Sequence, residues 1–120
     1  MADWETVRQL ARAFPEAEED TTHAQPAFRV RGKLFVWMSP HERGALVVRV
    51  DPDEAPFLLE SDPDTYFTTP HYEGYPAVLV RLERIERDQL AERIEDAWLL
   101  RAPKRLATQL LAEKAEMRRE

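Results

Sequence analysis

Residues 23–38 read HAQPAFRVRGKLFVWM, and the way this stretch folds on itself decides the sheet. Aliphatic residues alternate with arginine, lysine and aromatics, the period-two signature of strands. Ala27 to Val30 and Lys33 to Met38 form two strands around Arg31-Gly32. A two-residue loop at Arg31-Gly32 would pair Val30 with Lys33, mix the two faces, and require positive φ at an arginine. A three-residue loop with Gly32 in the left-handed position pairs Arg29 with Lys33 and keeps the faces separate. The second turn is expected; a β-bulge elsewhere would break the alternation.

Carried outward, that alternation sorts the strands. Ala45 to Val50 and Ala77 to Leu82 supply further strands. Phe28, Val30, Leu34, Val36, Met38, Leu46, Val48, Val50, Val78, Val80 and Leu82 make an apolar core face. The opposite face holds Arg29, Arg31, Lys33, Phe35, Trp37, Val47, Arg49, Leu79 and Arg81, basic heads beside aromatics and aliphatics.

Asp3 caps a first helix with Trp4, Val7, Leu10, Ala11 and Phe14 on one face, ended by Pro15. The acidic run Glu16 to Asp20 reads as a loop. Pro40 to Gly44 is a second loop. Asp51-Pro52-Asp53-Glu54 opens a short helix carrying Phe57, Leu58 and Leu59. Asp62-Pro63 opens a turn containing Tyr66 and Phe67, and 69–76 is a loop. Asp88 caps a helix with Leu90, Ile94, Ala97 and Trp98 on one face. Ala102-Pro103 breaks it, and a last helix bears Leu106, Leu110 and Leu111. Short connections make the sheet mainly antiparallel, so the fold class is α+β, with helices packed mainly on one face of the sheet in a single domain over 1–120.

The 120 residues suffice for one core. Hydrophobic residues make up 43% and charged residues 33%, a globular balance. With no cysteine, disulfides, thiol catalysis and cysteine-ligated zinc are excluded. No apolar run reaches membrane-spanning length, and MADWETVRQL lacks the pattern of a signal peptide, so a cytoplasmic chain with no membrane contact is expected. The net charge of −6 weighs against a general nucleic-acid binder and leaves room for a local basic patch.

The mixed sheet face admits two uses. Rings stack on bases and guanidinium groups meet phosphates. Alternatively, arginine stems cover Phe35 and Trp37 while their heads pair with acids, or a helix or second subunit covers them. Lys104 and Arg105 sit at a helix start, where backbone N–H groups also favour anions. His23, His41 and His71 lie far apart in the sequence and outside any ligand motif, so no metal centre is expected from them. Tyr66, Tyr72 and Tyr75 surround a proline-rich loop, either lining a pocket or wedging that loop onto the sheet edge. No Gly-rich phosphate loop and no G-x-S-x-G is present.

The segment Pro26-Ala-Phe-Arg-Val-Arg-Gly-Lys-Leu-Phe35, then Val48-Arg-Val-Asp-Pro52, then Asp62-Pro63 with Phe67, then Ala97-Trp98 and Ala102-Pro103-Lys-Arg-Leu106, resembles the MmcQ/YjbR family in order and spacing over nearly the whole chain. The resemblance implies a two-layer sandwich similar to the bacterial frataxin homologue CyaY. It also implies a double-wing DNA-binding role, with wings around Arg31-Gly32 and around His41 to Gly44, and with Arg29, Arg31, Lys33, Arg43 and Arg49 as contacts. The family offers no agreed catalytic residues to transfer. The expectation is therefore a small non-enzymatic bacterial protein without cofactor, binding DNA through Arg29, Arg31, Lys33, Arg49 and Arg81, with Phe35 and Trp37 stacking and with Arg43, Lys104 and Arg105 as further contacts. The alternative is a module meeting a protein partner or its own copy through the same face. A third reading, by analogy with frataxin-like folds, is metal binding at Asp3, Glu16, Glu18, Glu19 and Asp20.

Overall fold

The computed structural model describes residues 2–118. Helix α1 (Trp4–Ala11) opens on a capping box in which the Asp3 carboxylate accepts from the Thr6 backbone N–H at 3.0 Å. The box satisfies N-terminal groups that the helix itself leaves unbonded. Strands β1 (Ala17–Thr22), β2 (Gln25–Val30), β3 (Lys33–Met38) and β4 (Ala45–Arg49) follow. Then come α2 (Ala55–Ser61), β5 (Tyr66–Phe67), β6 (Ala77–Arg81), α3 (Arg87–Arg101) and α4 (Lys104–Met117). The strands pair antiparallel throughout in the order β1-β2-β3-β4-β6-β5. The α+β architecture is thus six antiparallel strands and four helices among the described residues.

The helices lie over one face. Phe28, Val36, Leu46, Val48 and Val80 from the strands meet Leu90, Ile94 and Trp98 of α3 and Val7 of α1 in the larger core. Trp98 is fully buried, stacks on Phe14 and donates its indole N–H to the Pro15 carbonyl at 3.1 Å. The opposite face carries a smaller cluster in which Ala27, Ala45 and Ala77 surround Trp37, Val47 and Leu79. Small residues there leave room for larger rings to lie on the sheet.

The turn at Arg31-Gly32 is the two-residue form, which corrects the expectation. Val30 pairs with Lys33, Arg31 adopts φ of +50° and Gly32 φ of +80°. The pairing register then shifts by one residue, so that Leu34 lies opposite Arg29 while Val36 lies opposite Phe28. Phe35 is the extra residue of that bulge. It is 0 % exposed and packs in the helix-covered core, 6.3 Å from the Phe28 ring between centroids. Leu34, expected in the core, instead packs on the open face beside Trp37. A left-handed arginine costs about 1–2 kcal/mol, and the exchange buries the larger Phe35 ring fully while leaving Leu34 half-buried on the open face.

The acidic run is a strand rather than a loop. It has no apolar alternation, because β1 is an edge strand whose side chains are held by charge. Glu19 faces the helices and accepts from Arg8 at 2.8 Å, while Asp20 faces the other way and accepts from Arg29 at 2.7 Å. The hairpin between β1 and β2 turns at His23 and Ala24, both at positive φ. Tyr66 and Phe67, expected in a turn, form the other edge strand against β6. Asp51 organises a turn before α2, accepting from the Asp53 N–H at 2.8 Å, and the helix starts only at Ala55. Asp88 lies inside the first turn of α3, whose N-cap position is Glu86.

Candidate ligand site on the open sheet face

The connection from β5 to β6 shapes this face. Residues 68–76 do not close as a tight hairpin but fold back over the open side of the sheet. Two hydrogen-bonded turns hold them, with the Tyr72 N–H on the Thr69 carbonyl and the Tyr75 N–H on the Tyr72 carbonyl, each at 2.9 Å. Gly74 supplies the positive φ of +81° that the second turn requires. Tyr72 joins the apolar cluster of Trp37, and Trp37 is only 7 % exposed.

The loop carries His71 to His41, in the β3–β4 connection, with ring centroids 5.1 Å apart. The Ser39 hydroxyl shapes that connection by accepting the N–H groups of His41 and Glu42 at 3.2 and 3.0 Å. His71 meets Tyr72 edge-on at 4.8 Å, and Tyr72 meets Tyr75 at 6.1 Å. Because Ala27 pairs with Trp37, the β1–β2 turn reaches the same end and brings His23. The result is a recess of about 510 Å³ running along β3, with Trp37 and Leu34 in its floor. Its lining is mainly aromatic and imidazole, the apolar wall with a few polar groups typical of ligand sites.

Two arginines bond to lining residues at the end of the recess away from the imidazoles. Arg49 donates to the Tyr75 hydroxyl at 3.0 Å and lies over the Tyr75 ring, 5.1 Å from its centroid. Arg101, from the last turn of α3, donates to the Leu34 carbonyl at 3.2 Å. Burial, and after it the Arg49 guanidinium, push the Arg101 guanidinium below its ordinary range, while Tyr75 acts in the other direction. Among the described residues neither arginine has a carboxylate partner in an ion pair.

The other sequence-expected contacts are scattered. Arg29 holds Asp20 and the Gly32 carbonyl. Arg31 holds Glu16, with an N–O distance of 3.0 Å for one of its two bonds. Arg81 lies over the Phe67 ring at 4.1 Å and donates to the Pro63 carbonyl at 3.3 Å. Lys33, Arg43, Lys104 and Arg105 are exposed. Phe35, expected to stack on bases, is buried on the opposite side of the sheet. Hydrogen bonds from Arg31 hold the Glu16 carboxyl below its usual range. The Thr21 backbone N–H, and then Arg29, do the same for Asp20. The proposed acidic metal set is dispersed, with Asp3 on a helix cap and Glu16, Glu19 and Asp20 each on an arginine. Among the described residues no group of three or more His, Cys, Asp or Glu is placed to hold a metal ion.

Sequence reasoning missed the meeting of His23, His41 and His71, and missed Arg101 altogether. The three histidines sit in three different turns, and only the strand order brings those turns to one end. Trp37 in mid-strand and the Tyr72/Tyr75 loop were the available signals.

The class is an α+β fold, a six-stranded antiparallel sheet with helices on one face and a loop-roofed aromatic recess on the other. The YjbR family profile matches residues 12–100, and the chain belongs to that family. It is similar to uncharacterized proteins of Mycobacterium tuberculosis and Mycobacterium bovis, 40% identical over 129 residues, covering 93% of this chain and 98% of each relative. Its fold is similar to the crystal structure of a Deinococcus radiodurans protein with a DUF419 domain. That match has a TM-score of 0.72 and 18% identity, covering 83% of this chain and 78% of that one. No helix among the described residues is long and apolar enough to cross a membrane.

Proposed function

We propose that this chain is a non-catalytic binding domain that takes a small, flat ligand in the recess over Trp37. The observation that carries the reading is the recess itself, about 510 Å³ between the 68–76 loop and the hairpin turns, walled by aromatic and imidazole rings. A macromolecular partner on the same face would meet Tyr75, 45 % exposed, and the imidazoles before it met Trp37. The test is an NMR titration of the full chain with a set of small aromatic compounds. Shifts confined to the Trp37 indole and to His41, His71 and Tyr72 are expected, and they should vanish in Leu34→Trp, which fills the floor. Shifts that map elsewhere, or that survive Leu34→Trp, would refute the reading.

A second reading, DNA binding, is favoured by the exposed cations Lys33, Arg43, Lys104 and Arg105, which have no ion-pair partner among the described residues. It shifts the expected contacts away from Arg29 and Arg31, whose heads already hold Asp20 and Glu16. Fluorescence anisotropy with single- and double-stranded DNA across a salt series checks it. Affinity should fall steeply with salt, by a slope of about −0.9 per duplex phosphate neutralised, and should be lost in Lys33→Glu with Lys104→Glu. Absence of binding at low salt would dismiss it.

A further inference from the structure

The recess has chemically different ends. At one lie three imidazoles, brought there by the β1–β2 turn, the β3–β4 connection and the 68–76 loop. At the other, Arg49 and Arg101 each bond to a residue of the lining, Tyr75 and Leu34 respectively. Two guanidinium groups, from β4 and α3, lie beside one end of the recess, close enough for the charge of Arg49 to act on Arg101, and among the described residues neither is in an ion pair with a carboxylate. An anion there would gain charge-assisted hydrogen bonds from planar donors suited to carboxylate or phosphate. Hydrogen bonding to Tyr75 and to the Leu34 carbonyl holds both side chains in place beforehand, so little ordering is left for the ligand to bring about.

From this juxtaposition we infer that the ligand is a small aromatic anion, its ring lying in the recess over Leu34 and Trp37 and against Tyr75, and its carboxylate or phosphate group held by Arg49 and Arg101. The inference rests on the ligand-site reading above and adds the chemical class and orientation of the ligand. The imidazoles at the far end then face the edge of the ring remote from the anion, where they donate to or accept from ring substituents.

Two matched pairs of probes test it on the full chain: indole with indole-3-acetate, and adenosine with adenosine monophosphate. Each pair shares a ring and differs in the anion, and the two pairs separate carboxylate from phosphate as the source of charge. In at least one pair the anionic member is expected to bind about 10- to 100-fold more tightly, the range for charge-assisted hydrogen bonds. The gain, read as the ratio of anionic to neutral affinity within each variant, should collapse in Arg49→Gln and in Arg101→Gln. Arg49 is only partly buried, at the end of β4, so R49Q carries the test alone if R101Q unfolds. Equal affinity within both pairs, with shifts at Trp37, would overturn this inference and leave the ligand-site reading standing, as would a gain that survives R49Q. No shift at Trp37 or Tyr72 with any of the four would overturn both.

Discussion

Replacing Phe35 by alanine separates the observed sheet from the one that unbroken alternation would build. In the observed sheet Phe35 is fully buried between Phe28 and the helices, so the substitution opens a cavity in the larger core. Buried Phe→Ala changes cost about 3–5 kcal/mol. Taking about 2.1 cal/mol/K per residue for the entropy of unfolding, a chain of 120 residues has roughly 250 cal/mol/K. A loss of about 4 kcal/mol then lowers Tm by roughly 16 °C. Leu34→Ala is the control. Leu34 is half-buried on the open face, so its loss is about 1–2 kcal/mol, or roughly 4–8 °C. Urea unfolding at 25 °C, with Tm by circular dichroism, reads both. With strict alternation the order would be reversed, Leu34 in the core and Phe35 at the surface. A larger loss in L34A than in F35A would therefore refute the bulge and the assignment of faces built on it.

Three further outcomes follow from the same structure. The Glu16, Glu19 and Asp20 carboxyls are held below the usual carboxylate range by hydrogen bonds from arginines and, for Asp20, first from the Thr21 backbone. Groups with depressed folded-state values give stability that is complete above the unfolded values and disappears as pH falls through the folded ones. Tm should therefore decline as pH falls below about pH 4.5, through the unfolded carboxylate range, and less steeply in Glu19→Gln. Arg31 at φ of +50° forbids a β-branched replacement, so Arg31→Val should cost about 1–2 kcal/mol in urea unfolding. Arg31→Asn, which creates the favoured Asn-Gly turn, should cost nothing measurable. Asp3→Ala removes the side-chain half of the α1 capping box, with an expected loss of about 1 kcal/mol.

The strands with apolar alternation were legible because alternation reports burial directly: Leu46 and Val48 on one face of β4, Val47 on the other. What failed did so where another term outweighed alternation. Leu34 and Phe35 exchanged faces because a two-residue turn plus a bulge buries the larger ring. β1 escaped notice because Glu18, Glu19 and Asp20 have low strand propensity, and their partners Arg8 and Arg29 are distant in sequence or indistinguishable from surface charge. The recess was half legible. Trp37 and the tyrosines marked the face, but the histidine end depends on strand order, and Arg101 reaches Leu34 only through the packing of α3 across β3 and β4.

The acidic edge strand also decides how the basic face should be read. Arg29 and Arg31 alternate in β2 and its turn as phosphate contacts would. Their ion pairs with Asp20 and Glu16 are exposed and worth only about 0–1 kcal/mol each, so the pairs by themselves would yield to a phosphate. The carboxylates, however, would remain. Glu18 lies directly opposite Arg29 in the pairing, with Glu16 and Asp20 on either side in sequence. At separations of about 4–7 Å in water each would repel a docked phosphate by roughly 0.6–1 kcal/mol, enough to cancel what each arginine supplies. The Arg49–Arg101 end has no such neighbour in its ion pairing. An anion small enough to be held there gains two guanidinium groups without meeting β1, whereas a duplex laid across the hairpin meets β1 first. The distribution of acids therefore favours a small anionic ligand over a nucleic-acid backbone.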